Sequence, residues 1–284
     1  MGLHVRFWGV RGSIASPGAA MAEVGGNTSC VEIVAGDHRV VLDAGTGLKA
    51  LGEALRGPRD VTLLLSHLHW DHIQGLPFFP PAWTPGSRLR VIGARSTSTP
   101  EVSLEEALSR QMRAPHFPVG LSAMAARLSF EELGEEASFE LGTARVRARR
   151  VHHPDGVMAY RIEHGGASVV YATDVEHGTD ADDALAELAA GADVLIHDAQ
   201  YTDDEYEGRS GPSRRGWGHA TWQAAVRLAE RAGVGRLVLF HHDPGRTDRE
   251  VEAIEQSAAR ARPGTVAARE GLEVRLPGRL ARAA

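Results

Sequence analysis

The stretch Val61-Thr62-Leu63-Leu64-Leu65-Ser66-His67-Leu68-His69-Trp70-Asp71-His72 decides the reading of this chain. Val61–Leu65 is an almost wholly apolar run, the pattern of a strand buried on both faces. Three histidines and an aspartate then fall within six residues, at the carboxyl end of that strand, where layered α/β proteins bind their ligands. Neutral imidazole and carboxylate are donors for zinc, manganese or iron. The spacing lets His67 and His69 point the same way from an extended loop, while Asp71 and His72 turn toward a second position. It therefore suits two adjacent cations better than one closed structural site.

On either side of this segment the chain reads as alternating strands and helices. Leu3–Trp8, Val31–Ala35 and Arg39–Leu42 are predicted strands, the last two joined by a Gly36-Asp37 turn. Leu48–Arg56 is a predicted helix with Leu48, Leu51 and Leu55 on one face, and Arg88–Gly93 a further strand. From Thr99 to about Leu141 the character changes. Leu104, Leu108 and Met112 suggest an amphipathic helix after Ser103, Pro115 and Pro118 interrupt it, and a mainly helical insertion is expected at about 99–141. Strands return at Ala144–Val151, Ala159–Glu163, Ser168–Ala172, Val194–His197 and Arg236–Phe240. Helices are expected at Asp182–Ala190, Trp222–Ala232 and Asp248–Ala261, with one or two strands finishing the chain. This interleaving argues for a layered α/β architecture. No linker rich in Pro, Gly or Ser divides it, so one domain over 1–284 is expected.

Composition narrows the function classes. The 284 residues carry a formal charge of -6, which gives no general attraction for nucleic acid; a nucleic-acid partner is not expected. Cys30 is the only cysteine, so a disulfide-stapled scaffold is excluded. No run approaches the ~18 apolar residues of a membrane helix. The opening Met1–Val10 lacks signal-peptide features, and Arg6 stands where myristoylation wants Ser or Thr. A soluble cytoplasmic protein is expected. The 14 histidines are a rich supply for its size, although His4, His38, His164 and His177 read as solvated and His116 as structural.

With Leu42-Asp43-Ala44-Gly45 ahead of it, the His67-x-His69-x-Asp71-His72 segment resembles the metallo-β-lactamase fold hydrolases. The likeness extends down the chain. Val151-His152-His153-Pro154 followed by Ala159-Tyr160 is similar to the family's third motif, Tyr171-Ala172-Thr173-Asp174 to its fourth, and Leu239-Phe240-His241 to its fifth. The resemblance implies a four-layer αββα sandwich. It implies that His67, His69 and His153 hold one ion, that Asp71, His72 and His241 hold the other, and that Asp174 bridges them. His152 and His242 neighbour two of these positions and remain alternatives. Asp43 is expected to orient the histidine loop, and Asp198, after the strand Val194–Ile196, to reach the edge of the site.

Within the family, Gly218-His219-Ala220-Thr221 is similar to the segment of ribonuclease Z whose histidine aids catalysis. Phe7–Ser13 and Gly25–Cys30 look like the branch containing phosphoribosyl cyclic phosphodiesterase. The resemblance implies a dinuclear phosphodiesterase that cleaves a small cyclic or nucleotide-like phosphodiester. Two divalent ions about 3.5–4 Å apart would generate hydroxide near neutral pH, with zinc expected first and manganese or iron as alternatives. Asp71 would place the nucleophile and His219 protonate the leaving oxygen; Arg11, Asn27 and Thr28 are candidates for gripping the substrate. The chain lacks that branch's cysteine-rich zinc site and shows no glycine-rich basic arm for tRNA. A thioesterase or lactonase of the same fold, a non-catalytic carrier, a di-iron redox role and a homodimer stay open. Trp70, Phe78, Phe79 and Trp83 line either a pocket or the core, and the loop Tyr201–Gly218, with Arg209, Arg214 and Arg215, is placed to close over a phosphate.

Overall fold

Alternating apolar residues at Leu3, Val5 and Phe7 give a strand one buried face, and the same device repeats through the chain. The computed structural model describes residues 2–179 and 181–278. Its strands are β1 (Leu3–Gly9), β2 (Cys30–Ala35), β3 (His38–Leu42), β4 (Asp60–Leu64), β5 (Arg88–Ala94) and β6 (Arg127–Leu133), followed by β7 (Glu136–Leu141), β8 (Ala144–Val151), β9 (Val157–His164), β10 (Ala167–Ala172), β11 (Val194–Asp198), β12 (Arg236–Phe240), β13 (Val266–Ala267) and β14 (Glu273–Leu276). They form two seven-stranded mixed sheets, ordered β14-β1-β2-β3-β4-β5-β6 and β13-β12-β11-β10-β9-β8-β7. The run β3-β4-β5-β6 is parallel, and so is β10-β11-β12-β13. The expected hairpin is present, with Val31↔Leu42 to Ala35↔His38 in register and Gly36 at φ 61°.

The helices are α1 (Gly47–Ala54), α2 (Trp70–Ile73), α3 (Leu104–Gln111), α4 (Ala181–Ala189), α5 (Asp203–Tyr206), α6 (Trp222–Arg231) and α7 (Asp248–Ala261). Three apolar clusters separate the layers. Val5, Phe7, Ile33 and Leu42 of the first sheet meet Tyr160, Tyr171, Ile196 and Phe240 of the second. Leu48, Leu51, Leu104 and Leu108 cover the outer face of the first sheet, and Leu185, Ala225, Ala229 and Ala258 that of the second. The layers therefore run helix, sheet, sheet, helix. Each buried Phe or Leu contributes about 1.5–3 kcal/mol, so the sheet-to-sheet core holds the parallel strand ends in fixed relation. No helix among the described residues is long and apolar enough to cross a membrane.

The segment 99–141 departs from expectation. It holds α3, capped by Ser103, whose hydroxyl accepts from the Glu106 N–H at 3.1 Å, and one 3-10 turn at Leu121–Ala123. Beyond that it is not helical. β6 adds in parallel to β5, and β7 pairs antiparallel with β8. The residues are the cause: Leu128 and Phe130, then Ala137, Phe139 and Leu141, recur with period two. Both strands lie at sheet edges, where Glu131, Glu132, Glu136 and Glu140 discourage further strand pairing.

Candidate metal centre

The carboxyl ends of the parallel strands deliver the site. Asp43 follows β3, His67 to His72 follow β4, Asp174 follows β10, Asp198 ends β11 and His241 follows β12. His153 comes from the turn between β8 and β9. Four non-glycine residues adopt positive φ among the described residues: Ser13 (63°), Asp43 (62°), Asp174 (50°) and His241 (58°). All four touch the centre, the kind of backbone strain that persists where surrounding contacts over-determine it. Gly12 is needed beside them, because a Cβ there would sit 2.4 Å from the His241 ring.

Three groups of donors share Asp174: with His67, His69 and His153, with Asp71, His72 and His241, and with Asp198, His219 and His241; within each, the donor atoms all lie within 4.8 Å of one another. The first two are the groups the sequence motifs implied. His152 is exposed, and His242 points away, its Nε2 donating to the Ala268 carbonyl at 2.9 Å; neither belongs to the groups. Burial drives the His242 pKa down to about 3.

The partner of each outward-facing ring nitrogen decides its tautomer. The His153 Nδ1–H donates to the Gly218 carbonyl at 2.9 Å, the His69 Nε2–H to Asp155 Oδ2 at 2.8 Å, and the His72 Nδ1–H to Asp43 Oδ2 at 2.7 Å. His241 Nδ1–H donates to Gln200 Oε1 at 2.9 Å. Ser66 Oγ donates to Asp43 at 2.8 Å and accepts from His67 Nδ1 at 3.1 Å. In the neutral rings every inward nitrogen presents a lone pair. Two of these, His69 Nδ1 and His153 Nε2, face each other at 3.3 Å. His72 Nε2 lies 3.1 Å from Asp71 Oδ2 and 3.2 Å from Asp174 Oδ1, and His241 Nε2 is 3.2 and 3.1 Å from the same two atoms. The buried Nε2 atoms of His67 and His72 have no hydrogen-bond partner. Acceptors converging in this way repel unless cations lie among them, and the donor set fits divalent ions of the zinc type.

The electrostatics differ from ring to ring, and at His72 a proton and a cation compete for the same nitrogen. Burial opposes a charge on His72, yet Asp174, Asp71 and Asp43 outweigh it and hold its pKa well above the ordinary value. Burial and the neighbouring His72 push His67 well down. Asp71 and Asp174, although buried, are held well below the carboxylate range by the surrounding histidines. Asp43 accepts four hydrogen bonds, from Ser66 N–H, Ser66 Oγ, His72 Nδ1 and Tyr171 OH at 2.7–2.8 Å. Beside the ligands, His219 Nδ1 lies 2.8 Å from Asp198 Oδ2 and 4.0 Å from Asp174 Oδ2. Its position follows from Thr221, whose side chain caps α6.

The three expected substrate-gripping residues are placed otherwise. Arg11 is wholly buried; its guanidinium donates to the carbonyls of Gly25, Asp243 and Arg246 and lies 3.7 Å from Asp248. Asn27 is bound to Glu270, and the buried Thr28 hydroxyl accepts from the Thr46 N–H at 2.9 Å. Each of the three thus has contacts that hold the β1–β2 segment. Arg209 pairs with Asp204 and Arg215 with Glu207, while Arg214 stacks on Trp217. Phe79 is core and Trp83 half-buried, whereas Trp70 and Phe78 stand exposed. Sequence reasoning missed Asp155, Gln200, Ser66 and Tyr171 as orienting partners. Ser66 and Tyr171 open two of the quoted motifs without signalling this role, Asp155 is two residues from His153, and Gln200 lies in no motif.

Comparison with known proteins gives the family. The family model described as "Beta-lactamase superfamily domain" matches residues 38–242. The ribonuclease Z of Mycobacterium sp. (strain KMS) is 33% identical over 225 residues, covering 74% of this chain and 76% of that protein. The metallo-beta-lactamase fold protein YhfI from Bacillus subtilis superposes with a TM-score of 0.70 at 21% identity, covering 96% of this chain and 98% of its own. A diphosphatase from the PhnP family has a TM-score of 0.70 at 20% identity, covering 97% and 98%. The structural likenesses speak for the fold, the sequence match for descent, and together they make this chain a member of the metallo-β-lactamase superfamily, related at modest identity to ribonuclease Z and to PhnP-family diphosphatases.

Proposed function

We propose that this protein is a dinuclear metal-dependent phosphodiesterase that hydrolyses a small cyclic or nucleotide-like phosphodiester. His67, His69 and His153 would hold one divalent ion and Asp71, His72 and His241 the other, with Asp174 shared; zinc is the first candidate, manganese and iron the alternatives. Such ions supply Lewis acidity toward phosphoryl oxygens and lower the pKa of water.

The observation that carries the reading is the His219–Asp198 pair beside the ligand cluster. Asp198 accepts from Nδ1, which leaves Nε2 as the nitrogen able to give a proton to a departing oxygen. Burial lowers the His219 pKa, but the Asp198 carboxylate and its hydrogen bond more than compensate and raise it to about 9. The Asp198 carboxylate thus favours the protonated ring that a general acid needs. Asp71, held by the Ser13 N–H at 2.7 Å, orients the attacking water. Water adds to phosphorus, the P–O bond to the leaving group breaks, and His219 protonates the released oxygen.

The test is metal content by elemental analysis, paired with turnover of bis(p-nitrophenyl) phosphate. About two ions per chain are expected, with turnover abolished in His69→Ala. His219→Ala should keep its metal and lose activity, more steeply for an alkoxide leaving group than for p-nitrophenolate, which needs little protonation. Bound metal without phosphodiester turnover would move the assignment to acyl substrates; no bound metal after reconstitution would refute it.

A further inference from the structure

Large apolar side chains left in water gather at the rim of the metal centre. Trp70 is 78% exposed and Phe78 56%. Trp70 lies between the ligands His69 and Asp71. Its outward direction follows from α2, which turns Asp71 and His72 inward. Nothing in that geometry requires a tryptophan, since any polar residue would meet water there at lower cost. Together with Leu68, Pro77, Phe78 and Phe117, Trp70 walls an apolar groove of about 410 Å³. The Phe78 and Phe117 rings meet edge to face at 5.8 Å and fix one wall.

The groove borders a cavity beside the metal centre. A second cavity, of about 300 Å³, is lined by His67 and His69, and Leu68, Ala107 and Arg110 border both spaces. A ligand whose phosphate reaches the histidines through one space can thus lay an attached ring in the other. The walls are mainly aromatic and aliphatic, with Gln74, Arg110, Gln111 and His116 among them, and the flat indole of Trp70 offers a stacking platform that any planar heterocycle can use.

We propose that this groove is the subsite for a nucleobase, or a comparable planar aromatic group, stacked on Trp70 while the phosphodiester lies at the metal centre. The proposal deepens the phosphodiesterase reading and rests on it for the placement of the phosphate. It makes the substrate class nucleoside phosphodiesters, as opposed to diesters of sugars or glycerol alone.

Binding separates the two claims. The protein, with its metal as isolated, would be titrated with adenosine 5′-monophosphate and with ribose 5-phosphate, following tryptophan fluorescence and calorimetric heat. The nucleotide is expected to bind about tenfold or more tightly than the sugar phosphate and to quench the fluorescence. Trp70→Ala should abolish that preference, Phe78→Ala should weaken it, and Trp70→Phe should keep most of it. Equal affinity for the two probes, no saturation by either, or a preference that survives Trp70→Ala would overturn the subsite. So would sedimentation showing a dimer that Trp70→Ser converts to monomer, because the groove would then belong to a second copy. A nucleotide preference without turnover of any phosphodiester would leave the subsite standing and refute the phosphodiesterase reading.

Discussion

Replacing Asp43 by Asn tests whether orienting groups set metal affinity here. Oδ1 receives the Ser66 N–H, and an amide oxygen can still do so. Oδ2 receives three donors, Ser66 Oγ, Tyr171 OH and His72 Nδ1, and an NH₂ group would meet them instead. The two hydroxyls can rotate to accept. His72 can accept at Nδ1 only by moving its proton to Nε2, the atom that faces Asp71 and Asp174. A protonated Nε2 is no ligand, so the ion shared by Asp71, His72 and His241 should bind about 10–100-fold more weakly, or about 1.4–2.8 kcal/mol. The other ion should suffer less, through Ser66 and His67. Competition with a chromophoric chelator resolves the two binding steps, and circular dichroism checks that the fold persists. If Asp43→Asn binds both ions within about twofold of the wild type while its unfolding temperature falls, Asp43 only braces the loop and the tautomer argument is wrong.

Arg11→Met should cost about 3 kcal/mol or more, because three buried carbonyls and Asp248 lose their cation; KM for a phosphodiester should stay unchanged, and a raised KM at constant stability would restore Arg11 as a substrate contact. Chelation of metal should lower the unfolding temperature reversibly, since it returns converging lone pairs to a buried site; an unchanged transition would show that these residues hold no ion. Burial raises the Glu205 carboxyl, but the Thr202 N–H and Arg246 outweigh it and hold it below its ordinary 4.5. Its stabilisation is thus present above pH 4.5 and lost as pH falls through the depressed value. The unfolding temperatures of wild type and Glu205→Gln should differ at pH 7 and converge as the pH falls below 4.5, and a gap that widens on acidification would contradict the assignment.

Much of the architecture was legible because it is written locally. Val61–Leu65 and Arg236–Phe240 announce buried strands by their apolar runs, and the helix read at Asp248–Ala261 is α7. The edge strands Arg127–Leu133 and Glu136–Leu141 escaped notice. Half their residues are charged or polar, and a preceding helix with two prolines dominated the impression of the segment. Their pairing depends on β5 and β8, far away in sequence, which no local pattern reports.

What the sequence determined by itself is which candidate ligands come together. His67, His69, Asp71 and His72 leave one strand end together, and Asp174 and His241 leave two others, so strand geometry alone aims them at one rim. Tertiary structure decided everything that depends on which strand end lies beside which. It brought Asp43, Tyr171 and Gln200 against the outer nitrogens of the ligands and so chose their tautomers. It also drew Arg11 and Asn27 against Asp248 and Glu270, more than 200 positions away, and Thr28 against Thr46. It set Trp70 and Phe78 side by side on an open groove. The physical reason is range: backbone geometry carries a side chain's direction over a few residues, whereas hydrogen-bond partners and burial belong to whichever chain segment the packed sheets bring near.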